Sequence, residues 1–555
     1  MAQPAGDDRM SASLDPVTVE LIGSALASIT DEMCEALVRA SHSTNVKERR
    51  DCTTALFDAD GRSLCEAEQI PMLLGSFIDM VPQILKRYPR EEIRPGDVFV
   101  GNDPYVGGST HLPDIVLTEP IFHDGTLVAW AINTAHHADF ADRGHAHIFQ
   151  EGLRIPPIRL YRAGELQQDV MDLILLNCQV PRQRLADFRA QMACNRRGAR
   201  RVGEMFDRYG AATMHAAAGA LQDYAERKMR AGIAALPDGI YRFSDRFDNV
   251  QLDGELDVSV EITVAGDSMI LDFESPPQVR AALNMVHSAL LASVYYAVKA
   301  VIDPDILPNA GLARPLVIKA RPGTLLNCTA PAAVYSRHQT AQRVVDLILG
   351  ALAPALPARV IAAANGACAA AHFTGTDPAS GRIWIFPETI GGGSGARKTR
   401  DGLDAVHVHM TNTSNLPIEA LETEYPISVL SYGLVTDSGG AGRTRGGMAI
   451  SRVYRADTDC RLRIDGSRLH SRPWGLDGGL PGSAGFYRLD GQPTLLDRGM
   501  GPIRAGQVVE IISPGAGGYG PPAERPEAEV ARDLAERRIS QATARDIYGF
   551  PAERS

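Results

Sequence analysis

The chain has 555 residues, a net charge of −11, 45% hydrophobic and 22% charged residues, an ordinary globular balance with room for about two to four domains. An acidic surface repels phosphate, which argues against nucleic acid or an anionic membrane as partner. No uncharged apolar run reaches the length of a membrane span, and the start, MAQPAGDDRMSASLDP, has no apolar core segment. Neither a transmembrane helix nor a secretory signal is therefore expected, and the chain is assigned to the cytoplasm. The cysteines (Cys34, Cys52, Cys65, Cys178, Cys194, Cys328, Cys368, Cys460) lie far apart with no C-x-x-C, a pattern of reduced, mostly buried thiols.

Residues 1–14 are polar and read as a disordered tail. Asp15 and Pro16 open a helix as N-cap and first helical residue, and Ile22, Leu26, Ile29, Met33, Leu37 and Ala40 keep helical spacing along it. Asp51 then precedes a short strand, CTTALF, which turns at Asp58-Ala59-Asp60-Gly61. By itself Asp51, beside Lys47, Arg49 and Arg50, reads as an arginine-paired structural carboxylate. Residues 71–90 are amphipathic and are expected to form one helix.

The most informative stretch is 98–139, VFVGNDPYVGGSTHLPDIVLTEPIFHDGTLVAWAINTAHHAD. Its two apolar runs, IVLTEPIF and TLVAWAIN, flank His123-Asp124-Gly125 and predict a hairpin. That hairpin would bring His111 and Asp114, before its first strand, next to His136, at the end of its second. Imidazole and carboxylate groups converging from strand ends suit a borderline divalent ion such as Zn or Mn. A histidine near a turn is otherwise a hydrogen-bonded surface group. Six of the 14 histidines fall between His111 and His147.

Further along, 168–233 reads as largely helical, with a basic helix at 186–207 best taken as a solvated or partner-facing surface. Period-two runs such as LDVSVEITV and MILDF announce strands after Gly239, and helices follow near 285–302 and 340–354. GGGSGARKTRDG (391–402) is glycine-rich and basic, yet it has neither P-loop nor G-x-G-x-x-G spacing. It remains a candidate anion loop through its backbone N–H groups, whereas the glycines of DSGGAGRTRGG and RPWGLDGG most simply serve backbone geometry. A charged helix is expected at about 526–547. The architecture is α+β with several subdomains: an N-terminal metal-site part (15–236) of helices and antiparallel sheet, a central α/β part (237–420), a β-rich part (421–522) and a helical tail (523–555).

At GNDPYVGGSTHLPD and AHHAD the sequence resembles the hydantoinase B/oxoprolinase family, the B-type subunits of ATP-dependent hydantoinases, 5-oxoprolinases and lactamases, with more distant kinship to acetone and acetophenone carboxylase subunits. The resemblance continues through NVKERRDCTTALFD, EGLRIPPIRL, LADFRAQMAC, DPDILPNAG, GGGSGARKTRDG, NLPIEALETEYP and PGAGGYGPP, in order and over nearly the whole chain. It implies an A-type ATPase partner, in a heterotetramer with two copies of each type, that phosphorylates the substrate oxygen. The chain itself would hold a divalent metal and open a cyclic amide such as a hydantoin or 5-oxoproline. The implied metal ligands are Asp51, His111, Asp114 and His136, which promotes Asp51 from structural to ligand. His137 and Asp139 are implied neighbours for orientation or proton transfer, although alternation places His137 on the opposite face from His136. Membership of a ketone carboxylase is the alternative activity, and a non-catalytic structural role is a further one. The sequence departs from the family at Leu73, where many members have histidine, at Gln179, where arginine is frequent, and at 140–147. These departures leave the substrate open.

Overall fold

The computed structural model describes residues 14–67, 69–137, 146–367 and 369–551. Asp15 caps α1 (Pro16–Ala40), its side chain accepting from the Val17 N–H, and the Ile22, Leu26, Ile29, Met33 and Leu37 stripe is buried. A short α2 (Thr44–Lys47) follows. The expected helix over 71–90 is instead two pieces, α3 (Pro71–Leu74) and α4 (Met80–Arg87). Pro82 cannot donate to the turn before it and would clash with the carbonyl four residues back, so one helix cannot run through. Gly75 marks the break, where a Cβ would lie 2.9 Å from both the Ser288 carbonyl and the Thr110 methyl.

A seven-stranded antiparallel sheet organises this part. Its strands are β1 (Cys52–Asp58), β2 (Ser63–Glu66), β3 (Val98–Gly101), β4 (Asp114–His123), β5 (Thr126–His136), β6 (Ile158–Arg162) and β7 (Glu165–Leu166), in the order β2-β1-β5-β4-β3-β6-β7. The expected hairpin is β4–β5. Asp124 and Gly125 both take positive φ at its turn, as a tight twisted hairpin requires. Period-two alternation sends Phe57, Phe99, Trp130 and Ile132 to one face, against Phe77, Met80, Val81 and Ile84. Small residues Ala129, Ala131 and Ala135 face the other way, among the side chains of α1 and α6. The helical region resolves into α5 (Gln168–Leu176), α6 (Pro181–Tyr209) and α7 (Ala211–Ala234), with Gly210 at φ +77° between the last two.

A second sheet joins β8 (Gly239–Phe247), β9 (Leu256–Ala265), β10 (Ser268–Glu274) and β11 (Leu316–Ala320). Val258, Val260, Ile262 and Val264 of β9 point inward in strict alternation, each burial stabilising by about 1.5–3 kcal/mol relative to exposure. This sheet covers α8 (His287–Ile302) and α9 (Arg337–Leu352) in the largest apolar cluster. The polar side of α9 is also buried, because Arg343 donates to Asp245 and Arg246, and Arg468 pairs with Asp346.

The remaining strands are β12 (Ala369–Thr376), β13 (Ile383–Ile390), β14 (Ile427–Leu434), β15 (Ile450–Ala456), β16 (Cys460–Asp465), β17 (Phe486–Leu489), β18 (Gln492–Pro493), β19 (Met500–Ile503) and β20 (Val508–Ile512), with α10 (Ile418–Glu424) before β14. They form sheets of order β13-β12-β16-β19 and β14-β15-β20-β17-β18 around a shared core. The first of these takes strands from both sides of residue 420. The glycines of 391–402 serve close packing: a Cβ on Gly395 would meet the Ala362 carbonyl at 1.7 Å. Backbone carbonyls occupy the N–H groups of Gly392, Ser394, Ala396, Arg397 and Gly402, so these are not free to cradle an anion. The tail is two helices rather than one, α11 (Glu527–Ala535) and α12 (Gln541–Asp546), split where Arg537 takes φ +57° and Ser540 caps the second. Arg525 docks it by reaching both Asp401 and Asp533. Among the described residues no helix is long and apolar enough to cross a membrane.

Candidate metal centre

Register brings the site together. Asp114, first residue of β4, pairs directly with His136, last of β5, and the His136 N–H donates 3.0 Å to the carbonyl of Asp51, just before β1. His111 lies in the turn entering β4, which Ser109 and the His111 backbone brace by hydrogen bonds. His111 Nε2 is 2.9 Å from Asp114 Oδ1 and 3.2 Å from His136 Nδ1, and His136 Nδ1 is 3.0 Å from the same oxygen. These three side chains form a group whose donor atoms all lie within 4.8 Å of one another. His111 and Asp114 are fully buried, while the His136 side chain keeps 15% of its exposure.

The donor chemistry fits a cation. His111 Nδ1 sits 2.9 Å from the Tyr335 carbonyl, which can only accept, so Nδ1 carries the proton and Nε2 turns its lone pair toward the carboxylate. Two electron pairs in such contact need a positive centre between them. A proton is disfavoured: burial, and next the Arg337 charge, hold His111 down to about 3. A divalent ion with imidazole and carboxylate ligands is the alternative that the donors satisfy. A carbonyl fixing the far nitrogen of a ligating imidazole is the usual supporting contact.

Asp114 remains an anion. Burial opposes this, but its contacts with His111, Arg337 and His136 hold its carboxyl well below the usual range. Arg337, in the first turn of α9, donates to Asp114 Oδ2 at 2.8 Å and to Thr110 Oγ1 at 2.9 Å. Neither Arg337, Thr110 nor Tyr335 was picked out from sequence. Arg337 lies just before the helix expected near 340–354, and its distance along the chain from His111 hid the contact.

The other expected site residues stand differently. Asp51 flanks the group without being part of it; Asn45 Nδ2 reaches its Oδ2 at 3.4 Å, and its charge acts on Arg337. His137 is bonded to Gln191 of α6 at 3.1 Å and packed on Phe188, outside the group. Asp139 and most of the departure at 140–147 lie outside the described residues. Leu73 is 2% exposed in the apolar core beside Leu112. Its neighbour Leu74 instead lines a cavity of about 480 Å³ with Phe57, Glu66, Tyr295 and Tyr296, to which the His/Asp group does not contribute. Leu73→His is therefore expected to destabilise by about 1–3 kcal/mol through an unsatisfied buried imidazole, read as a lower denaturant midpoint.

The sequence pattern characteristic of "Hydantoinase B/oxoprolinase" matches residues 15–522. The chain belongs to the hydantoinase B/oxoprolinase family. Within it, an uncharacterised protein of Methanocaldococcus jannaschii is 37% identical over 96% of both chains. The beta chain of a caprolactamase from Pseudomonas jessenii is 30% identical, covering 97% of this chain and 96% of its own. Among solved structures, the ATP-dependent caprolactamase of Pseudomonas jessenii superposes with a TM-score of 0.88 at 29% identity, over 98% of each chain. The mixed α+β architecture expected from the sequence is thus the family's, and family members carry names of enzymes acting on cyclic amides.

Proposed function

We propose that the chain is the metal-bearing component of an ATP-dependent amidohydrolase. In this reading it opens a cyclic amide, of the hydantoin, 5-oxoproline or lactam class, after an ATPase partner has phosphorylated the amide oxygen. The convergence of His111, Asp114 and His136 carries the reading, and the relatives' names supply the reaction class. Zn or Mn fits the donors, and Asp51, whose backbone carbonyl accepts from the His136 N–H, is the further carboxylate that would complete the set.

Amide resonance makes a ring carbonyl a weak electrophile, and O-phosphorylation removes it. Water adds to the activated carbon, the ring C–N bond breaks as the nitrogen takes a proton and leaves as an amine, and a second water displaces phosphate from the resulting acyl phosphate. A divalent ion held here supplies Lewis acidity toward the carbonyl and its attacking water. The chain's own residues do the positioning. Arg337 locks one Asp114 oxygen and leaves the other toward the imidazoles. The Tyr335 carbonyl fixes the His111 tautomer. Partial exposure of His136 gives the group its access.

Reconstitution with the ATPase partner tests this. His111→Ala and His136→Ala should each slow ring opening by more than about 100-fold, beyond the usual effect of losing an outer supporting contact. Ring opening by both variants at the wild-type rate would sink the proposal. Incorporation of labelled bicarbonate carbon into product would point to a carboxylase instead. Asp51→Ala should weaken metal retention less than loss of either histidine, measured by elemental mass spectrometry after dialysis.

A further inference from the structure

A second set of polar side chains crowds the same centre without a role in holding it. On the β12–β16 pair, Phe373, Leu462 and Ile464 face the apolar core, so their neighbours His372 and Arg463 face the other way. His372 and Arg463 are direct register partners, 6% and 4% exposed. The Arg463 guanidinium lies 4.2 Å over the Tyr335 ring, which also contacts the rings of His111 at 5.6 Å and His372 at 6.0 Å. Tyr335 thus stands between the His/Asp group and this pair.

Part of their hydrogen-bonding capacity is unspent. Arg463 Nη2 donates to Ser336 Oγ at 2.9 Å, but Nη1 and His372 Nδ1 meet no hydrogen-bond partner among the described residues. The nearest carboxylate, Asp465, is 3.6 Å from Arg463 Nη2, too far for a hydrogen bond, and its other oxygen is taken by Asn249 and Gln251. Leaving such groups buried and unmet costs about 1–3 kcal/mol each. The first turn of the 16-residue α9 faces the same place: Ser336 is its N-cap yet makes no cap hydrogen bond. His338, in that turn, keeps partial exposure although flanked by fully buried residues, as His136 does, so both border accessible space. Backbone carbonyls of Ala282, Val334 and Ser336 take the N–H groups of Ser336, Arg337 and Gln339, so this helix start offers its dipole and the His338 N–H. With the Arg463 guanidinium edge and a neutral imidazole able to carry its proton on Nδ1, it forms a receptor for a tetrahedral oxyanion.

We propose that the first turn of α9, with Arg463 and His372, forms a phosphate site beside the His111–Asp114–His136 group that receives the phosphoryl end of an O-phosphorylated substrate. The inference rests on the phosphorylated substrate of the proposed function, but the oxyanion site itself does not depend on the metal. It gives the buried Arg463 an acceptor and places a phosphoryl leaving group next to the electrophilic carbonyl.

Calorimetric titration of the full chain with inorganic phosphate and with acetyl phosphate, an acyl phosphate, tests it, with metal content measured on the same samples. Both probes should bind, acetyl phosphate more tightly. Arg463→Gln should weaken both by about tenfold, the loss of one charge-assisted hydrogen bond, with metal content unchanged. If Arg463→Gln does not fold, His372→Gln reads the same site and should show a smaller loss of the same kind. Wild-type chain that binds neither probe, or variants that bind as wild type, would overturn the site. Binding of inorganic phosphate alone would overturn its role toward substrate. Metal-free wild type that still binds phosphate through Arg463 would retire the metal reading and keep this site.

Discussion

Asp114→Ala should empty the centre of divalent metal and destabilise the fold by about 3–5 kcal/mol. The second effect follows from Arg337, whose side chain is 4% exposed and whose carboxylate partner is Asp114 at 2.8 Å. Removing one member of a buried pair leaves the other charge desolvated without compensation. Asp114→Asn separates the effects. It keeps an acceptor for Arg337 and the shape of the site, so it should recover much of the stability while still losing metal. Elemental mass spectrometry and denaturant unfolding on the same preparations read both. Full metal content in Asp114→Ala would remove this residue from the ligand set. The pH dependence has a definite sign: the depressed native value means that this carboxylate's contribution is complete above its unfolded pKa of about 4. It is lost only as pH falls through the native value.

Mild acid should be far more damaging through the histidines. Burial, and next a neighbouring arginine, holds His407 down to about 4 and His372 well below its ordinary value. His338 keeps one accessible edge, but burial of the rest of its ring likewise holds it down to about 4; Asp465 opposes this, and Arg337 and Arg463 add to it. The folded chain keeps these rings neutral, whereas the unfolded chain protonates them near pH 6.5. Below that pH the unfolded state binds more protons, so stability falls as pH drops from about 6.5 toward 4. Each ring contributes at most about 1.4 kcal/mol per pH unit. Three together reach about 6 kcal/mol at pH 5, comparable with the whole stability of many domains. Urea midpoints from pH 7.5 to 5 should therefore fall steeply, and His372→Gln should remove up to one ring's share of the slope. A flat profile would show that these rings titrate normally.

Residue order alone was enough for the local elements and the inner histidines. Alternation and a His-Asp-Gly turn specified β4–β5, and that register alone sets Asp114 against His136. Asp15 and Pro16 announced α1 for reasons confined to one turn of chain. Where a break depended on packing or on a single backbone torsion, as between α3 and α4 or between α11 and α12, periodicity overran it. What surrounds the centre came from long-range packing. Arg337, Tyr335, His372 and Arg463 come from a helix start and a distant sheet, more than 200 residues beyond His111. Nothing in local periodicity encodes such a contact. A residue such as Arg463 alternates out of its own apolar core, which in sequence looks like an ordinary solvent-facing position. It is the packing of that polar face against Tyr335 and the start of α9 that buries its charge and gives it chemistry.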